Sequence, residues 1–94
     1  MKCIRIETVS KEEIKYLQFP KEEVLSSKED QNERCLMMKR AMALGNLEQE
    51  KVGILFLDNE GYKRVETTIW GVTNKYVILK QATVIPLERI VGVA

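Results

Sequence analysis

Residues 51–93 read KVGILFLDNEGYKRVETTIWGVTNKYVILKQATVIPLERIVGV, short β-rich runs broken at close intervals by turn residues. That pattern predicts a small, strongly bent antiparallel sheet of five strands, closed or nearly closed into a barrel. In the first run Val52, Ile54 and Phe56 point one way and Leu55 and Leu57 the other. A strand apolar on both faces belongs in the middle of a sheet. Asp58-Asn59-Glu60-Gly61 is turn chemistry, with Gly61 free to take positive φ. Tyr62 to Val72 then reads as one long strand, with Val65, Thr67, Ile69 and Gly71 on one side and Arg64, Glu66, Thr68 and Trp70 on the other. Gly71 inside it predicts a bulge or the sharp bend of a barrel. Asn74-Lys75 and Gln81-Ala82 turn the chain into two more strands, Tyr76–Lys80 and Thr83–Ile85. Pro86-Leu87-Glu88-Arg89 predicts a tight one-turn link, because proline cannot donate to a central ladder. Ile90 to Val93 closes the set.

Upstream, Cys3 to Val9 alternates, with Ile4 and Ile6 on one face, and predicts a short edge strand. Ser10 and Glu13 stand at capping-box spacing before a helix over about 11–18 that presents Ile14 and Leu17 and is stopped by Pro20. From Ser10 to Glu33, 11 of 24 residues are charged, so this arm has little to bury and reads as partly mobile. Ser26 and Glu29 offer a second capping box for a second helix, Ser27 to Leu44, ended by Gly45. Eight of the ten residues from Cys35 to Leu44 are apolar. One stripe, Cys35, Met38, Ala41 and Met42, suffices to pack the helix on the sheet. Leu36, Met37 and Leu44 fall outside that stripe and need a second surface.

The reading is therefore an α+β chain of 94 residues forming one domain, an N-terminal strand and two helices (1–46) packed on a small barrel (47–94). A strand, an acidic-Gly turn, a long bent strand, a hairpin, Ile85-Pro86-Leu87-Glu88-Arg89-Ile90 and a closing strand together resemble Sm-like barrels. With a helix in front, the order is similar to that of the Rho-binding antiterminator family. The resemblance covers 36–93 and implies a barrel with a helix against it. Sm-like RNA binders carry an Asp/Asn-containing signature in the middle strands and an Arg-Gly-type signature near the end. Here those stretches read Thr67-Thr68-Ile69-Trp70-Gly71 and Leu87-Glu88-Arg89-Ile90. Rho-binding antiterminators resemble acidic decoys, whereas the second helix shows Lys39 and Arg40. The fold carries over and the activity does not follow from it.

Composition limits the chemistry further. Formal net charge is +1, from 15 basic and 14 acidic residues, too little to steer the whole molecule to nucleic acid or anionic lipid. Histidine is absent, and with only Cys3 and Cys35 neither a histidine-based triad nor a four-ligand zinc site can be built in one chain. Neither Glu66 with Glu88 nor Asp58 with Glu60 has an evident reason to act as an acid/base pair, and all four read as solvated. No cofactor and no enzymatic activity are expected. The start Met1-Lys2-Cys3-Ile4-Arg5 shows no apolar signal core, and no apolar run reaches the about 20 residues of a membrane span. A cytoplasmic protein with two reduced thiols is the expectation, Cys35 being inert and buried.

Two binding readings follow. Leu36, Met37, Met38, Met42 and Leu44 make either core alone or an adaptable protein-interaction surface, and the surplus favours a homodimer or another protein partner. Tyr62, Arg64, Trp70, Tyr76 and Lys80 form the alternative, an aromatic and basic platform for single-stranded nucleic acid such as RNA. The expected outcome for that set is that Trp70 packs beneath the second helix as core, with Arg64 and Lys80 at the rim. A regulatory interaction module is the leading function and the platform is its alternative.

Overall fold

A computed structural model of the protein describes residues 5–48 and 51–93. Among the described residues the chain is α+β, with seven strands in two sheets and one α-helix. The strands are β1 (Glu7–Val9), β2 (Val52–Leu57), β3 (Tyr62–Thr67), β4 (Ile69–Val72), β5 (Tyr76–Leu79), β6 (Thr83–Pro86) and β7 (Ile90–Val93), and the helix is α1 (Lys28–Glu48). Among the described residues the strands form two separate sheets, ordered β1-β3-β2-β7 and β4-β5-β6, and not a single closed ladder. Inner faces of both sheets meet in one core that includes Ile54, Phe56 and Val65 from the first and Ile69, Val77, Leu79 and Ile85 from the second.

Several elements sit where the residue pattern places them. Strand β2 lies between β3 and β7, with Ile54 and Phe56 fully buried and Leu55 and Leu57 half-buried. Gly61 holds φ at +143° at the foot of the turn, a conformation L side chains rarely adopt. Leu87–Arg89 is a single 3-10 turn between β6 and β7. Gln81 and Ala82 take positive φ, 67° and 60°, to close the β5–β6 hairpin.

Others differ. The long strand divides at Thr68, not at Gly71, because Val65, Thr67 and Ile69 must all reach the same core while β3 pairs with β2 and β4 with β5. The Thr68 carbonyl accepts the Lys80 N–H at 3.0 Å, pinning the corner. Gly71 lies after a register slip that leaves Trp70 unpaired. A Cβ on Gly71 would meet Ile78 Cδ1 at 3.5 Å, an ordinary contact. The bulge expected there is present, but the bend is not.

The arm also departs from expectation. Strand β1 is an edge strand, yet it pairs parallel with β3, so the sheet is mixed. Val9 is its buried residue, Ile6 is exposed before the strand, and the Cys3–Ile4 part of the expected strand lies outside the described residues. Lys11–Tyr16 is a 3-10 helix and not an α-helix. Its cap is not reciprocal: the Ser10 hydroxyl donates to the Glu13 carboxylate at 3.2 Å, and the Glu13 N–H goes to the Ser10 carbonyl. Ile14 is nonetheless buried, as its spacing demanded. Helix α1 is capped one residue later than expected, by Ser27 Oγ accepting from the Asp30 N–H at 3.4 Å. It also runs through Gly45 to Glu48; a glycine within a helix is costly but not prohibitive.

Candidate interaction face and adjoining cavity

Helix α1 lies against β4 and β7 and is apolar on two sides. At about 100° per residue, Arg34, Met38, Ala41 and Met42 fall on one side, and Glu33, Leu36, Met37, Arg40 and Leu44 within an arc of about 100° on the other. The first side enters the core: Met38 and Ala41 are buried and Met42 packs partly against them. The second faces outward, with Leu36 54%, Met37 40% and Leu44 55% exposed. Met38 and Met42, read from the sequence as part of a partner surface, are thus core residues, because their side of the helix is the one the sheets cover. The surface stripe consists of Leu36, Met37 and Leu44, continued by the exposed Val93 of β7, whose N–H reaches Met37 Sδ at 3.3 Å. Nothing in the described arm folds over this face. The β1 strand pairs with β3, and the 3-10 helix after it packs on β6 and β3.

Trp70 is not beneath α1 as core. Its indole is 55% exposed, because the slip before Gly71 turns residue 70 outward while Ile69 takes the buried position. The five residues of the expected aromatic and basic platform do not share a face. Tyr62 and Arg64 lie on the outer side of the β2–β3 pair, where Arg64 bonds Glu66 at 3.3 Å. Trp70, Tyr76 and Lys80 lie on or beside the β4-β5-β6 sheet. Since the inner faces of the two sheets pack on each other, their outer faces point apart.

The arm is held by polar contacts that charge counting did not reveal. Arg34, buried in α1, donates to both Glu23 carboxylate oxygens at 2.7 and 2.6 Å and to the Ile90 carbonyl at 3.1 Å. Arg89, also buried, donates to the carbonyls of Leu57, Glu22 and Asp58. Backbone bonds from Val24 to Glu88 and from Asn59 to Gln18 complete the seam, and Phe19 sets its ring 5.9 Å from that of Phe56. Segment 17–26 is therefore fastened down by these bonds together with Leu17 and Phe19, which pack against the core. Burial opposes ionisation of Glu23, but the Arg34 hydrogen bonds and backbone donors outweigh it and hold the carboxyl below its usual value.

Asp58 was expected to be solvated and is buried instead. Its carboxylate accepts the N–H groups of Glu60 and Gly61 and, at 3.0 Å, the buried Lys63 ammonium. Burial would raise the Asp58 carboxyl; these donors overcome it and set it below the ordinary range. The Asp58 hydrogen bond raises Lys63 against its own burial, with Glu7 and Glu60 adding to the field. The Asx-type turn around Gly61 is the sequence signal that points to this role. Glu60 and Glu66 are exposed, and Glu88 is half-buried.

Beside the start of α1 lies an open cavity of about 680 Å³, walled by segment 19–23, the first two turns of the helix, the 74–76 turn and 86–88. Cys35, expected to be buried, is a half-buried free thiol in its wall. Among the described residues no group of three or more His, Cys, Asp or Glu side chains is arranged to hold a metal ion, and no helix is long and apolar enough to cross a membrane. Comparison with known proteins finds no matching family, no matching curated protein and no matching solved structure.

Proposed function

We propose that the protein is a non-enzymatic interaction module that pairs with a second copy of itself through the outer face of α1. The observation that carries this is the exposure of Leu36, Met37 and Leu44 together on one side of a helix whose other side is already used. Soluble monomers generally cover such apolar stripes, and a two-fold contact buries the same stripe on both chains at once. The charges on the stripe support a second copy as occupant. Glu33 and Arg40 are both exposed and neither forms an ion pair within the described chain. A two-fold axis between Leu36 and Met37, with the helices antiparallel, sets Glu33 of each chain against the partner's Arg40 and Leu36 against the partner's Met37 at the centre, with Leu44 at the edge of the contact, level with the partner's Glu29. Exchanging the charges tests it. Glu33→Arg or Arg40→Glu alone should weaken the dimer, and the two together should restore it. Additive losses would remove this pairing.

The strand order supports an Sm-like barrel as the frame that presents α1: β2, the bent β3–β4 pair, β5, β6, a one-turn link and β7. A second reading rests on Trp70 and Tyr76, 55% and 45% exposed on one sheet. With Lys80 they form a smaller stacking surface for single-stranded nucleic acid. Nucleic acid co-purifying with the protein, seen as a raised ratio of absorbance at 260 to 280 nm, would favour this second reading over the first.

A further inference from the structure

We infer that the cavity at the start of α1 is a binding site for a small phosphorylated molecule bearing a planar ring, of the nucleotide class. Its size, about 680 Å³, lies within the range of pockets that enclose such ligands. Its walls are unevenly charged. Lys21, Lys28, Lys75 and Arg34 line it against two carboxylates, Glu23 and Glu88. Glu23 is already neutralised by Arg34. No ion pair forms at Lys21, Lys28 or Lys75 among the described residues, so three ammonium groups surround the space against the single carboxylate of Glu88. Three unpaired lysines around one concavity give it a local positive potential that favours a compact polyanion.

Arg34 itself is already committed: its guanidinium donates to both Glu23 oxygens and to the Ile90 carbonyl, so the free positive charge of the site comes from the three lysines. Tyr76, half-exposed, and Pro86, its partner across the β5–β6 pair, supply apolar wall where a flat ring stacks, while Asn74 and the Gln31 Oε1, whose Nε2 already donates to the Leu25 carbonyl at 2.9 Å, offer hydrogen bonds to its edge. A lone phosphate would leave that wall unused.

Calorimetric titration with ADP, inorganic pyrophosphate and a 5′-phosphorylated trinucleotide tests the assignment. ADP should bind, pyrophosphate more weakly, and the variant Lys21→Ala/Lys28→Ala/Lys75→Ala should lose at least tenfold in ADP affinity. The control Lys39→Ala/Lys51→Ala, both outside the cavity, should lose none. Tyr76→Ala should weaken ADP and leave pyrophosphate unchanged. In the unmodified protein, amide shifts on adding ADP should centre on Gln31, Lys75 and Tyr76, a readout that does not depend on any variant folding. Shifts centred elsewhere, equal affinity in the triple variant, or no binding of ADP at millimolar concentration would overturn the site. Binding of the trinucleotide alone would overturn a free small molecule as its ligand.

Discussion

Arg34 and Glu23 form a two-pronged ion pair, 2.7 and 2.6 Å, that ties the middle of the N-terminal arm to the underside of α1. The two partners are not equally covered. The Arg34 side chain is buried and the Glu23 side chain is partly open to water. Removing the carboxylate therefore leaves a cation stranded, whereas removing the cation leaves an anion that water can reach. Glu23→Ala should cost about 1.5–3 kcal/mol, the range for losing hydrogen bonds to a charged group, and Arg34→Met clearly less. Urea denaturation of both variants gives the comparison, and equal costs would mean that the seam depends on packing alone.

Asp58 and Lys63 predict how stability depends on pH. Asp58 and Glu23 have folded-state pKa values below their unfolded values of about 4. Their stabilisation is present above that range and disappears as pH falls through the lowered folded values. Lys63 is raised, so its contribution is complete below the unfolded value of about 10.4 and is lost as pH climbs past the raised one. Melting temperature followed from pH 2 to 11 should thus drop at both ends. Asp58→Asn should lower the plateau, because it leaves the buried Lys63 without its partner, and should flatten the acid limb.

Ala82 occupies the left-handed region at φ 60°, where a side chain costs about 1–2 kcal/mol and glycine does not. Ala82→Gly should raise stability by about 1 kcal/mol once the greater freedom of the unfolded chain is deducted. For a domain of this length that is a rise in melting temperature of about 4–8 °C. A fall would show that the hairpin does not use this conformation.

Trp70 should behave as a surface residue. Its fluorescence should be red-shifted and readily quenched by iodide, and Trp70→Ala should stay within about 0.5 kcal/mol of the parent. A blue-shifted, protected indole would place Trp70 under a second chain or beneath the helix.

How far the sequence reveals this structure depends on the kind of interaction. Short β-rich runs bounded by turn residues found β2 and β7, and helical spacing separated Met38 and Ala41 from Leu36, Met37 and Leu44, since burial in a helix follows hydrophobic periodicity. Gly61 and the Pro86 link were legible because each has a backbone requirement of its own. The corner at Thr68 was not, since threonine is an ordinary strand residue and the bend is imposed by two pairing partners far along the chain. Arg34–Glu23 and Lys63–Asp58 were hidden for a related reason. Charged residues near a loop look solvated unless their distant partners are known. The cavity belongs to the same class, because Lys21, Lys28 and Lys75 meet only after the arm folds against the hairpin turn.

The most direct measurement is the mass of the protein in solution, by light scattering during gel filtration at micromolar concentration. The dimer formed through α1 requires twice the chain mass of 10.9 kDa, falling to a single chain on Met37→Glu with the far-ultraviolet dichroism unchanged. A mass of one chain for the unmodified protein, or a doubled mass that Met37→Glu leaves intact, would contradict pairing through Leu36, Met37 and Leu44.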